Sequence, residues 1–148
     1  MKPFSTFIFA VIIFTSCKKD EAAKRSSTEL ISKQSWKLTA GTQQQLPAGS
    51  VQDIFAPMSA CYRDDQFVYN ANLTYEGNAG VTKCSPADPQ VFASGTWKFI
   101  NSETQVERIT TSGIGVGTIV FSVMTLTESQ LKLKATDSGF EYILTFSH

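Results

Sequence analysis

One histidine, three cysteines, two adjacent aspartates and a glycine-rich run are the residues of this chain whose types and spacing can do chemistry. His148 is the sole histidine and the last residue. It is expected to be a frayed terminal side chain, which leaves histidine triads, histidine metal sites and histidine general bases without support. Asp64 and Asp65 are neighbours, and neighbours in a strand point to opposite faces, so they cannot act as a paired acid and base. A solvated loop end is the preferred reading of them, a calcium contribution by one carboxylate with loop carbonyls being the minor alternative. Gly113-Ile114-Gly115-Val116-Gly117 lacks the spacing and the strand–helix setting of a phosphate-binding loop and reads as a turn between strands. No catalytic residue, metal site or cofactor is assigned, and the chain is read as a non-enzyme.

The cysteines point elsewhere. Lys2 followed by a mostly apolar run from Phe4 to Phe14 is too short for a membrane-spanning helix, which needs about 20 residues, and has the form of an export signal. Phe14-Thr15-Ser16-Cys17 resembles the bacterial lipobox, whose cysteine is lipidated and becomes the new N-terminus. The alternative is an ordinary secretory signal beside an incidental cysteine. Lys19-Asp20-Glu21 is similar to the tag that sends some lipoproteins of Bacteroidetes-type bacteria to the outer face of the outer membrane, and reads equally as a plain tether. The expected organisation is therefore a signal peptide over 1–16, a lipidated Cys17 with a polar tether over 17–27, and one domain over 28–148. With Cys17 lipidated, Cys61 and Cys84 remain as a disulfide pair in an oxidising compartment. The expected location is the outer membrane, either face of it including the cell surface, with the membrane as partner through the Cys17 anchor.

Thirteen basic residues balance thirteen acidic ones, and no basic patch or charge block argues for nucleic acid.

The elements that must position any site are strands. Phe140, Tyr142, Leu144 and Phe146 alternate with polar residues, as do Leu131, Leu133 and Ala135 in the preceding run. A two-residue turn at Asp137-Ser138 places Ala135 opposite Phe140 and Leu133 opposite Tyr142. Upstream, Thr28 is read as the N-cap of one helical turn. Strands follow over 35–40, with Trp36, Leu38 and Ala40 on one face, and over 66–69, 73–76, 95–100, 105–110 and 118–126. A three-residue turn at Asn70-Ala71-Asn72 pairs Tyr69 with Leu73. A two-residue turn after Ile100 points Val106 and Arg108 inward, whereas a three-residue turn points Glu107 and Ile109 inward. The parity change between Val123 and Leu126 implies a bulge. Long loops are expected over 41–63, with a short helix at Ser50–Phe55 ended by Pro57, and over 77–94. The fold class is all-β: an eight-stranded antiparallel up-and-down barrel with one or two short helical turns, an open sandwich being the alternative.

This order of elements resembles the lipocalin-like domain of bacterial surface lipoproteins, over residues 28–148. Lipocalins carry Gly-x-Trp on the first strand; here Trp36 matches with Gln34 in the glycine's place, and Gly95-Thr96-Trp97 matches fully on the fourth strand. The arginine that packs on the first-strand tryptophan in many lipocalins has no counterpart on the last strand. Cys61-Tyr62-Arg63-Asp64-Asp65 before an aromatic strand also resembles the lipoprotein versions.

In an up-and-down barrel the connections after alternate strands share one end. Cys61 and Cys84 fall in two such connections, which supports their pairing. That end, with three long loops, is the expected mouth, and Leu30 and Ile31 plug the other. Phe67, Tyr75, Trp97, Phe121, Phe140 and Tyr142 are the expected ligand-binding residues near the mouth, with Arg108 if the two-residue turn holds. Inward aromatics can line a cavity for a small apolar or ring-bearing ligand, or they can fill the barrel outright. Two functions follow: a membrane-anchored binder of small ligands, or a non-enzymatic module that meets a protein or glycan through its loops.

Overall fold

A computed structural model describes residues 25–148. The expected signal, the lipobox with Cys17 and most of the tether lie outside the described residues. Nine antiparallel strands form one sheet: β1 (Trp36–Gln45), β2 (Val51–Asp53), β3 (Gln66–Tyr69), β4 (Thr74–Asn78), β5 (Val91–Ile100), β6 (Gln105–Gly113), β7 (Gly117–Leu126), β8 (Gln130–Asp137) and β9 (Phe140–Ser147). β3 to β9 pair in sequence, β9 pairs with β1, and β1 pairs with β3 through Trp36↔Phe67 and Lys37↔Gln66. The sheet is thereby closed into an eight-stranded barrel, with β2 as an extra strand on the far half of β1. Two short helices, α1 (Ser27–Ser32) and α2 (Ala60–Arg63), complete the fold. No helix among the described residues is long and apolar enough to cross a membrane.

The closed end is built first in the sequence. Ser26, not Thr28, caps α1: its hydroxyl accepts from the Glu29 amide while the Glu29 carboxylate accepts from the Ser26 amide. A reciprocal capping box satisfies two amides where Thr28 alone would satisfy one. α1 then presents Ile31, which is fully buried, and the Ile31 carbonyl accepts a hydrogen bond from the Trp36 indole at 2.8 Å.

Several registers differ from the sequence expectation by two residues. The β8–β9 turn is Ser138-Gly139, so Ala135 faces Tyr142 and Leu133 faces Leu144. Ser138 and Gly139 both have positive φ (50° and 82°), the conformation a two-residue hairpin turn requires, and Gly139 adopts it without a Cβ penalty. Likewise Tyr69 pairs with Tyr75 rather than Leu73, because Leu73 itself takes the left-handed turn position (φ 66°). A slip of two keeps every side chain on its face, so the core is unchanged. Between β5 and β6, Ser102 and Glu103 form the turn, which settles the open alternative: Phe99 opposes Val106, and Val106 and Arg108 point inward. The bulge in β7 falls between Val123 and Thr125.

Longer corrections concern the loops. β1 runs on to Gln45, with a bulge at Thr39 that turns Ala40 out and Gly41 in. The segment expected as a helix at Ser50–Phe55 instead contains β2, because the Asp53 carboxylate accepts from the Phe55 and Ala56 amides and ends the strand in a side-chain turn. β5 begins at Val91 rather than Gly95, and β6 and β7 are joined by only three residues. The mouth thus has two long connections rather than three.

Candidate functional site: a chambered barrel interior

Each inward row contributes apolar side chains, and they divide the barrel into a packed half and a hollow half. Ile31, Trp36, Trp97, Val106 and Leu131 fill the closed half and are essentially inaccessible. The Trp97 indole donates to the Asn70 carbonyl at 3.0 Å, in the β3–β4 turn at the closed end, and its ring meets Tyr69 and Phe99 edge-on. Trp97 therefore does not stand near the mouth. The sequence placed it there because β5 was read as starting at Gly95; the four additional residues at the mouth move Trp97 down the strand.

Above this plug is a cavity of about 340 Å³. Leu38, Phe146 and Leu144 form one wall, Leu133 and Ala135 a second, and Ile119 and Phe121 a third. Phe67 and Tyr69 of β3 close the circle, Tyr142 and Asp137 stand toward the mouth, and Arg108 is the single basic residue of the lining. Of the residues expected at a ligand site, Phe67, Arg108, Phe121 and Tyr142 line this cavity. Tyr75 lies behind Arg108 in the core and Phe140 at the rim beside Gln45 and Gly49, so neither does. Leu38, Tyr69, Ile119, Leu133, Ala135, Leu144, Phe146 and Asp137 were not assigned to the site. Alternation marks most of them as inward, but alternation does not tell filler from lining.

Arg108 is held between the rings of Tyr75 and Phe121, its guanidinium carbon 4.7 and 5.1 Å from their centroids. Its Nε is buried with no hydrogen-bond partner, and no carboxylate among the described residues forms an ion pair with it. Burial pushes the phenols of Tyr69 and Tyr75 well above their ordinary range, and the nearby guanidinium pulls them partly back. Arg108 thus places an unpaired positive charge against an apolar hollow.

A second, outer chamber of about 480 Å³ lies under the mouth loops. Its frame is the Cys61–Cys84 disulfide, which joins α2 to the β4–β5 connection with Cα atoms 5.2 Å apart. Asp64 ties the same two segments again, accepting from the amides of Val81 (3.0 Å) and Thr82 (2.8 Å), which hold its carboxyl below the usual range. Asp65 points the other way, into the outer chamber, where burial and then the charge of Asp64 push its carboxyl up to about 6. Among the described residues, no group of three or more His, Cys, Asp or Glu comes together to hold a metal ion.

His148 is not frayed. Its ring packs on Trp36 with centroids 4.0 Å apart, and its Nδ1 lies 2.8 Å from the Ser35 carbonyl. It holds a structural position at the closed end and does not line the cavity.

The architecture and its interior define a closed antiparallel barrel with an internal, mainly apolar hollow. Among solved structures, the chain is similar to a lipocalin-like protein from Bacteroides uniformis, at 13% identity and a TM-score of 0.45, over 76% of this chain and 94% of that one. The sequence matches no protein-family model and no curated protein.

Proposed function

We propose that this chain is a membrane-anchored binder of a small apolar or ring-bearing ligand that carries an acidic group. The observation that carries the reading is the cavity of about 340 Å³ with Arg108 as its only basic lining residue and, among the described residues, no carboxylate in an ion pair with it, Asp137 standing toward the mouth. Arg108 is half-buried, with its Nε out of solvent and unpartnered, and a ligand carboxylate supplies the missing partner with charge-assisted hydrogen bonds. Lipidation at Cys17 supplies the anchor, which needs more than one acyl chain to be stable. The barrel then stands on the outer membrane by a short tether.

Titration of the full chain with an environment-sensitive fluorescent fatty-acid analogue tests the binding reading. Saturable binding, displaced by an unlabelled carboxylate and weakened in Arg108→Gln, is expected. The anchoring reading predicts that Cys17→Ala leaves the precursor unprocessed at this site and out of the membrane fraction.

A second reading rests on the mouth itself. Val81, Ile114 and Val116 are exposed at 93%, 74% and 66%, and all three lie on mouth loops. Apolar tips of this kind suit contact with a protein or glycan partner. Absence of saturable ligand binding to the folded chain would favour this interaction module.

A further inference from the structure

The two chambers share one side chain, Phe67. Its ring packs edge-on against Phe146 of the inner chamber (5.5 Å) and against Phe92 of the outer one (6.2 Å), so it stands as the partition between them. The charges on either side are opposite. The inner chamber holds Arg108, with Asp137 only at its mouthward rim. The outer chamber is lined by apolar groups and by the carboxylates of Asp65 and Asp88, with no basic side chain. Asp88 is engaged by the Ser85 amide at 2.7 Å, whereas no ion pair reaches Asp65 among the described residues.

Geometry sets a length. Asp65, Phe67 and Tyr69 follow one another at two-residue steps, and Tyr69 marks the level of Arg108, whose guanidinium lies beside its phenol. Four residues of extended chain span about 13 Å. The backbone levels of the two charged ends are thus about 13 Å apart, with apolar surface between them.

We propose that the two chambers form one track for an elongated apolar molecule with an acid at its inner end and an amine at its outer end, Arg108 and Asp65 pairing with the two charges. The inference rests on the cavity-binding reading above and goes beyond it by naming the outer group. Phe67 turns aside to admit the body of the ligand. Each charged protein group, half-buried at its end of the track, then gains the partner it lacks.

The test is calorimetric titration of the full chain with three probes of equal length: ω-aminododecanoic acid, dodecanoic acid and dodecylamine. The two-headed probe is expected to bind about tenfold more tightly than either one-headed probe, the effect of one added charge-assisted hydrogen bond. Asp65→Asn should remove its advantage over dodecanoic acid and leave dodecanoic acid binding as before. Arg108→Gln should remove its advantage over dodecylamine; Arg108→Lys, which retains the charge, should keep most of it and controls for folding. Dodecanoic acid binding as tightly as the two-headed probe, or Asp65→Asn affecting both alike, overturns the inference while cavity binding stands. If none of the three binds, both fail.

Discussion

The imidazole of His148 covers the indole of Trp36, ring centroids 4.0 Å apart, and so joins the last residue of the chain to the first residue of its first strand. A carbonyl can only accept, so the contact of His148 Nδ1 with Ser35 is a hydrogen bond donated by the ring. The histidine packs on a fully buried tryptophan whose indole N–H is held by the Ile31 carbonyl.

Removing this lid should therefore weaken the fold. His148→Ala is expected to cost about 1 kcal/mol, the usual worth of an aromatic pair. His148→Phe retains the stacking and loses only the hydrogen bond, so its loss should be smaller. Urea unfolding midpoints, compared at unchanged slope, measure both.

The disulfide closes a 23-residue separation between two mouth segments. Replacing both cysteines by serine should lower stability by about 3 kcal/mol if the chain-entropy account holds. Parent chain treated with reductant should match the double variant in urea; a parent unaffected by reductant would contradict the bond.

Asp65 gives a pH dependence whose sign is fixed. Its carboxyl titrates at about 6 in the folded chain against an ordinary 3.8, so between these values the folded chain holds a proton that the unfolded chain has released. The group's contribution to stability is complete below the ordinary value and is lost as pH rises through about 6. The charge of Asp64 beside it acts in the same direction. Asp65→Asn should accordingly melt higher than the parent at neutral pH, with the difference closing on acidification below about pH 4. Thermal melts across the range decide it.

Trp97 and Phe121 separate core from cavity. Trp97→Ala should cost about 3–5 kcal/mol of stability, as truncation of a packed aromatic does, while leaving ligand affinity of the folded fraction unchanged. Phe121→Ala should change affinity, since Phe121 lines the cavity and faces Arg108. Equal effects of the two on affinity would place the pocket elsewhere.

Much of the barrel was legible because side-chain parity survives errors of two. Tyr142 and Leu144 face the interior whether Leu133 opposes one or the other, so the core could be read while the register was not. The left-handed backbone of Leu73 leaves no trace in composition, since a leucine is not expected there. Nor does the Thr39 bulge, after which Gly41 takes the inward place and Ile54 packs 3.0 Å from where its Cβ would lie. Mouth strands such as β2, three residues long and exposed throughout, are too short to carry an alternation to detect. The site suffered most from strand ends: a few residues added to β5 moved Trp97 from supposed lining to plug, whereas the orientation of Arg108 hung on a turn length that the sequence leaves open and that the Ser102-Glu103 turn decides.

Both tryptophans of the chain, Trp36 and Trp97, lie in the plug, walled off from the hollow by the residues around them. Their emission reports whether the barrel is folded and is nearly deaf to what the barrel holds. A ligand can enter and leave without altering the spectrum on which routine quenching assays depend. An optical reporter of occupancy has to be installed at the cavity wall, and Leu144→Trp, on β9 between β1 and β8 and so off β3, which Asp65 precedes, and β6, which carries Arg108, would give the hollow a voice of its own.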